Sequence, residues 1–199
     1  MKHIFTGVLA GLGLLVSGGV LAQDAQVSES PSLSVAVPVP PFVADGATPY
    51  SQSGVSPQGN PTVINELIPG GESFEAWTTL FATMIEENLP YTLDEYLSIQ
   101  YGVYRNACGT PPDAMYFLEK TDSEALYLIP CPKYNDNPTK GEVAVFFIYK
   151  TGDDFIKVYR HWRGDAFPLG DAAGWPATRA EIDSFLREVP NIKITRKTP

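Results

Sequence analysis

Residues 141–163, "GEVAVFFIYKTGDDFIKVYRHWR", contain the clearest structural signal of this chain. Two runs rich in apolar, β-branched and aromatic residues, "GEVAVFFIYK" and "DFIKVYRHWR", flank the short stretch "TGD". This pattern is typical of two antiparallel strands joined by a tight turn. Just before it, "AMYFLEK" and "ALYLIPC" flank "TDSE", residues 121–124, and predict a second hairpin.

A strand and a helix are predicted ahead of these hairpins. "TVINELI", residues 62–68, predicts a short strand. In "SFEAWTTLFATMIEENL", residues 73–89, apolar residues recur three and four positions apart, which is the spacing of one helix face. Ser73 is in the N-cap position of this predicted helix. Its apolar face consists of Phe74, Trp77, Phe81, Met84 and Ile85.

Two Thr-x-x-Glu patterns predict two more helix starts. Thr92 with Glu95, and Thr178 with Glu181, each match the capping box. Pro190 stops the second of these helices. The predicted element order is therefore β-α-α-β-β-β-β-α. Grouped strands flanked by helices indicate an α+β fold, with an antiparallel sheet of four to five strands and helices packed on one face.

The N-terminus has the pattern of a secretory signal peptide. Lys2 and His3 precede an apolar run, and small residues lead up to Ala22. We predict a signal peptide over residues 1–22, cleaved after Ala22, and a periplasmic or secreted location. The alternative is an uncleaved anchor, but five glycines and a good cleavage site argue against it. No stable membrane insertion is therefore expected after cleavage.

Residues 23–60 are rich in Pro, Ser, Gly and Ala, and no helix or strand period persists in them. We predict a flexible tether over this range. The alternative is a proline-rich ligand for a partner, formed by Pro38, Pro40 and Pro41. Residues 61–199 are then a single α+β domain.

The charge of the chain limits its partners. It has 23 Asp and Glu against 14 Lys and Arg, a net charge of −9. This acidity opposes binding to nucleic acid or to an anionic membrane surface by simple charge attraction. It suits a soluble protein, or one with a basic protein partner.

Cys108 and Cys131 are the two cysteines of the chain. In an exported protein two cysteines most often pair, so we predict a structural disulfide between them. A redox pair would have the Cys-x-x-Cys spacing, which the sequence lacks. A zinc site would need four ligands, and only one histidine remains after removal of the leader. No metal and no cofactor are predicted.

That histidine, His161, lies in the last predicted strand. Alternation along a strand places Lys157, Tyr159, His161 and Arg163 on one face. The opposite face, Ile156, Val158, Arg160 and Trp162, has the composition of a core. We therefore predict that the His161 face is exposed or borders a groove, and we treat it as a candidate binding face for an anionic group. No convincing catalytic residue is found.

Several segments together resemble a group of small exported proteobacterial proteins of unassigned function. The resemblance starts with "INELIPGGESFEAWTTLF", residues 64–81, and covers about residues 62–188. It continues through Cys108, Cys131-Pro132, the stretch 141–163 and Trp175. The element order is also similar to the PsbP-like α/β sandwiches. That similarity implies a binding or assembly role and carries over no catalytic residue.

The sequence thus predicts an exported, non-enzymatic binding or accessory protein of the cell envelope. A toxin-neutralising immunity protein is one alternative, because many toxins are basic. A hydrolase-type enzyme centred on His161 is the other, since any Ser-His-Asp or Cys-His arrangement would have to use this residue.

Overall fold

The computed structural model describes residues 25–55, 59–110 and 114–198, which contain ten strands and two α-helices. The strands are β1 (Ala25–Glu29), β2 (Leu33–Pro38), β3 (Ala47–Val55), β4 (Pro61–Pro69), β5 (Thr79–Glu86), β6 (Tyr116–Lys120), β7 (Glu124–Cys131), β8 (Lys140–Thr151), β9 (Asp154–Asp165) and β10 (Lys193–Arg196). The helices are α1 (Leu93–Cys108) and α2 (Arg179–Glu188). The predicted signal peptide, residues 1–22, lies outside the described ranges.

The strands form two antiparallel sheets. Seven strands pair in the order β3-β4-β5-β9-β8-β7-β6, and three pair in the order β1-β2-β10. The predicted hairpin β8–β9 pairs over its full length, from Lys140↔Asp165 to Thr151↔Asp154. The second predicted hairpin, β6–β7, is also present. Together these two hairpins supply four neighbouring strands of the larger sheet.

The seven-stranded sheet is covered on both faces. On one face, α1 packs through Leu93, Tyr96 and Leu97 against residues such as Phe146 and Phe155 of the sheet. On the other face, β2 and α2 bury a second core, whose members include Leu33, Val35, Val37, Val158, Trp162, Ile182 and Phe185. The result is three layers, with the larger sheet in the middle.

The predicted α+β fold, with four to five strands and helices on one face, is therefore wrong. The described part of the chain is mostly β, with two sheets and only two α-helices. The two predicted capping boxes are correct, since Thr92–Glu95 begins α1 and Thr178–Glu181 begins α2. The strand predicted over residues 62–68 is also present, as β4.

The helix predicted over residues 73–89 is one source of the error. Thr79–Glu86 forms strand β5, which pairs with β4 and β9. Phe81 and Ile85 enter the core beneath β2, while Leu80 and Ala82 enter the core beneath α1. A strand buried on both faces has apolar residues at nearly every position, so helical spacings occur in it by default.

The predicted flexible tether over residues 23–60 is wrong for residues 25–55. In β2, Leu33, Val35 and Val37 are at most 1 % exposed, and they alternate with small residues that point outward. β2 pairs with β1 on one side and with β10 on the other. The domain boundary predicted at residue 61 therefore separates β1 and β2 from the core to which they belong.

The predicted disulfide between Cys108 and Cys131 is present, with Cα atoms 5.3 Å apart. Both cysteines are buried. Cys108 is the last residue of α1 and Cys131 the last residue of β7, so the bond ties the end of the helix to the sheet. Within the three described ranges, no helix is both long and apolar enough to cross a bilayer.

Candidate binding cleft

A cleft of about 540 Å³ lies between α1 and the seven-stranded sheet. All four residues of the predicted binding face, Lys157, Tyr159, His161 and Arg163, line it from β9. Helix α1 contributes one wall, and the segment before β5 contributes another. Its aromatic lining consists of Phe74, Trp77, Tyr104, Tyr134, Phe146 and Tyr159.

The His161 face borders a groove rather than lying open to solvent, because α1 and the segment before β5 cover it. Lys157 and Tyr159 are only 8 % and 6 % exposed. His161 and Arg163 are partly buried. The opposite face of β9 is buried as predicted, with Ile156, Val158, Arg160 and Trp162 all at most 6 % exposed.

His161 is held by hydrogen bonds at both ring nitrogens. Its Nδ1 lies 3.0 Å from Oε1 of Glu142, and its Nε2 lies 3.2 Å from the Tyr104 hydroxyl. The same hydroxyl lies 3.2 Å from Oε1 of Glu142. The Tyr134 hydroxyl donates to the other oxygen of that carboxylate. His161, Glu142 and the two tyrosines thus form one network, which we call the His161 network.

Glu142 is absent from the site residues predicted above, although the hairpin contains the signal for it. The pairing of β8 with β9 sets Glu142 opposite Arg163 and Ala144 opposite His161. A carboxylate at this register lies diagonally across from the histidine on the same face of the sheet. The pairing register that follows from the "TGD" turn is therefore enough to bring Glu142 and His161 together.

The contacts within the network set the protonation of Glu142, Tyr104 and Tyr134. Burial raises the pKa of Glu142, but the charge and hydrogen bond of His161, the Tyr134 hydroxyl and the charge of Arg163 lower it by more, so the net shift is downward. Burial raises the pKa of Tyr104 well above its ordinary value, and the charge of Glu142 raises it further. Burial and Glu142 also raise the pKa of Tyr134. Near neutral pH both tyrosines are therefore hydrogen-bond donors to an ionised carboxylate.

Lys157 lies further along β9 and is also satisfied within the protein. Its Nζ donates to Oε1 of Gln100 on α1 at 2.8 Å. Burial lowers the pKa of Lys157, while the charges of Glu86 and Glu66 oppose that shift. The Tyr159 hydroxyl donates to Oε1 of Glu66 at 3.2 Å. The base of the cleft is therefore a set of paired polar groups between aromatic rings.

Arg163 lines both the cleft and a second cavity of about 640 Å³. The two cavities share Trp77, Tyr134 and Arg163. The guanidinium carbon of Arg163 lies 3.8 Å from the centre of the Trp77 ring and 5.4 Å from that of Tyr134. This stacking holds the guanidinium between two aromatic rings.

This arrangement limits the chemistry of the cleft. In the described ranges, the side chains that hydrogen-bond the His161 ring belong to Glu142 and Tyr104, not to a serine, threonine or cysteine. Cys108 lines the cleft but its sulfur is in the disulfide. Among the same residues, no group of three or more His, Cys, Asp and Glu side chains is placed to hold a metal ion.

Comparisons with known proteins do not identify a family. No protein-family model matches the chain, and a search of curated proteins finds no significantly similar sequence. Function is therefore inferred from the cleft and from the sequence patterns.

Replacing Glu142 with glutamine is expected to make stability less dependent on pH in the acid range. Because the folded pKa of Glu142 is lowered, its ionised form stabilises the protein above the unfolded pKa of about 4.3, and this stabilisation is lost as the pH falls through the folded pKa. Urea denaturation of both proteins, at intervals from about pH 6 down to pH 3, measures the difference. Parallel stability curves over that range would contradict the downward shift.

Proposed function

We propose that this protein is an exported, non-enzymatic binding protein of the cell envelope, which holds a ligand in the cleft beside α1. The observation that carries the proposal is the position of Lys157, Tyr159, His161 and Arg163 in a cleft of about 540 Å³ with aromatic walls. Cavities of about 300–1,000 Å³, mostly apolar with a few fixed polar groups, are the usual sites for small ligands. A short segment of a partner protein would fit the same space.

The state of His161 favours binding over catalysis. A general base must have a nitrogen free to accept a proton from a nucleophile or substrate. Here Glu142 occupies Nδ1, and the Tyr104 hydroxyl lies 3.2 Å from Nε2, where a nucleophile or substrate would have to approach. The raised pKa values of Tyr104 and Tyr134 also keep their hydroxyls protonated, so neither serves as a base near neutral pH. The His161 network thus holds its side chains in fixed positions and makes them a rigid, preorganised wall of the binding cleft.

A hydrolase centred on His161 is the second candidate, and one contact favours it. Glu142 holds Nδ1 of His161 at 3.0 Å, as the acid of a catalytic triad holds its histidine. For this function the Tyr104 hydroxyl would have to move away and admit a water molecule to Nε2. A broad hydrolase screen that finds an activity in the wild type, and none in His161→Gln, would establish this alternative.

Export and the class of partner are inferred from independent features. The disulfide suits an oxidising compartment such as the periplasm or the cell exterior. The signal-peptide pattern of residues 1–22 and the resemblance to small exported proteobacterial proteins agree with that location. The net charge of −9 favours a basic protein partner, and neutralisation of a basic toxin would be a special case.

Blocking the cleft at Val103 is expected to abolish ligand retention without unfolding the protein. Val103 is 60 % exposed and lines the cleft, so Val103→Trp would fill the entrance at little cost in stability. The mature protein is incubated with envelope extract and reisolated, and the molecules it retains are identified by mass spectrometry. We expect a ligand with the wild type and at least a tenfold lower yield with Val103→Trp.

Ile99 provides a matched control for this experiment. It is 47 % exposed, lies one helical turn before Val103 on α1, and does not line the cleft. Ile99→Trp adds the same ring to the same helix and should retain the ligand as the wild type does. Equal retention by both variants would contradict the proposed location of the site.

A further inference from the structure

Arg163 differs from the other charged residues of the cleft. Glu142 is paired with His161, and Lys157 and Glu66 are hydrogen-bonded to neutral side chains. Among the described residues, no carboxylate lies within ion-pair distance of Arg163. Instead, its guanidinium stacks against the faces of two aromatic rings.

The hydrogen bonds of Arg163 also leave part of its guanidinium unused. Arg163 lies against the ring of Tyr134, whose hydroxyl donates to Glu142. Its Nε is buried and has no hydrogen-bond partner. A guanidinium has five N–H donors in a fixed planar fork; the buried Nε cannot reach a ligand, so the donors open to one are the four on the two terminal nitrogens. Since Trp77 and Tyr134 fix the plane, little conformational entropy is lost when a ligand uses them.

The surroundings of Arg163 indicate which anion fits. Glu75, Asp136 and Lys140 line the second cavity and are exposed, and the charge of Lys140 is paired with Asp165 at 2.8 Å. Together with the net charge of the chain, these carboxylates repel a dianion more strongly than a monoanion. A planar carboxylate matches the guanidinium fork with two parallel hydrogen bonds. On the other side of Arg163, the cleft offers apolar surface from Leu80, Val103 and Phe146.

We propose that Arg163 is the anchor for a carboxylate group, and that the ligand of the cleft is a monocarboxylate whose apolar body lies beside Leu80, Val103 and Phe146. This inference rests on the proposed function and specifies its ligand class. A free organic acid and the C-terminal carboxylate of a peptide share this chemistry.

The test uses two small probes that differ only at the carboxyl group. Phenylacetate and phenylacetamide have the same ring and nearly the same shape, and only the first carries a carboxylate. Each is titrated into the ¹⁵N-labelled mature protein, and the shifts of the Trp77 indole N–H and of the β9 amides are followed by NMR. We expect phenylacetate to bind at least tenfold more tightly than the amide, because a hydrogen bond between charged groups is lost with the amide.

Variants and further probes make the result specific. Arg163→Gln should remove the preference for the acid, whereas Arg179→Gln, on the exposed surface of α2, should keep it.

Phenyl phosphate should bind more weakly than phenylacetate, and tighter binding would overturn the carboxylate assignment. N-acetylphenylalanine, which presents a peptide-like carboxylate, should bind more tightly than phenylacetate if the natural source is a peptide terminus and no more tightly if it is a free acid.

The outcomes separate this inference from the proposed function. Equal binding of acid and amide in the cleft would overturn the anchor role of Arg163 and leave the cleft as a binding site. No shift of any cleft resonance with either probe, together with no ligand retained from envelope extract, would overturn both. The comparison of acid with amide is made on the wild type, so it holds even if Arg163→Gln does not fold.

Discussion

Replacing His161 with alanine is expected to lower the free energy of unfolding by about 2–4 kcal/mol, since the buried Glu142 carboxylate loses one of its three side-chain partners and keeps only the Tyr104 and Tyr134 hydroxyls. The side chains of His161 and Glu142 are only 14 % and 5 % exposed. The substitution also removes a ring packed 4.9 Å from Tyr159 and 5.2 Å from Phe146, centre to centre. A solvent-exposed position, the other setting that the sequence allows, would instead give a change within about ±0.5 kcal/mol.

Urea denaturation at neutral pH measures this difference directly. His161→Gln should lose less stability than His161→Ala, because an amide can still donate to Glu142. Lys140→Ala is a suitable control, since Lys140 is exposed and its ion pair with Asp165 is at the surface. If His161→Ala and Lys140→Ala were equally stable, the His161 network would not be part of the folded core.

Loss of the Cys108–Cys131 disulfide is expected to cost about 3.5 kcal/mol, by the chain-entropy model for a loop of this length. The two cysteines are 23 residues apart in sequence, and the bond joins the end of α1 to the end of β7. Because α1 forms one wall of the cleft, the double variant Cys108→Ala/Cys131→Ala should also bind ligand more weakly. Alanine is preferred to serine because both cysteines are buried, and burying a hydroxyl group without a hydrogen-bond partner costs free energy.

Chemical reduction provides an independent check on this value. The wild type treated with a thiol reductant should unfold at the same denaturant concentration as the double alanine variant does without it. The double variant itself should not respond to the reductant. A wild type whose unfolding midpoint is unchanged by full reduction would show that the bond adds nothing to stability.

The sequence predicts best those features that depend on local chemistry. The "TGD" and "TDSE" turns predict the two hairpins, and Thr-x-x-Glu predicts the starts of α1 and α2. In each case a few adjacent residues supply the hydrogen bonds or the turn that the structure needs. Such signals do not depend on which other segments pack nearby.

The wrong predictions of a helix over residues 73–89 and of a tether over residues 23–60 have a common cause, which is the layer formed by β1, β2 and β10. Since this layer covers the second face of the large sheet, β5 is apolar on both sides and resembles a helix in sequence. The prolines and serines of the layer itself suggest a tether rather than strands. The alternation of Leu33, Val35 and Val37 with small residues is the signal there of a strand with one buried face.

The candidate site is predicted in part. Alternation along β9 correctly groups Lys157, Tyr159, His161 and Arg163 on one face. It does not show that α1 folds over that face, because this contact joins segments about 60 residues apart. Trp77 is in a core, as its spacing predicts, and is 7 % exposed; its stacking on Arg163 at the junction of two cavities is not visible in the sequence.

The central claim is that ligands bind in the cleft beside α1, and NMR mapping tests it most directly. The ¹⁵N-labelled mature protein is titrated with the low-molecular-mass fraction of envelope extract. We predict shifts of the Trp77 indole N–H, of the α1 amides from Val103 to Cys108, and of the β9 amides around His161. Shifts confined to another surface, such as the exposed edge strand Tyr116–Lys120, with these resonances unmoved, would contradict the claim.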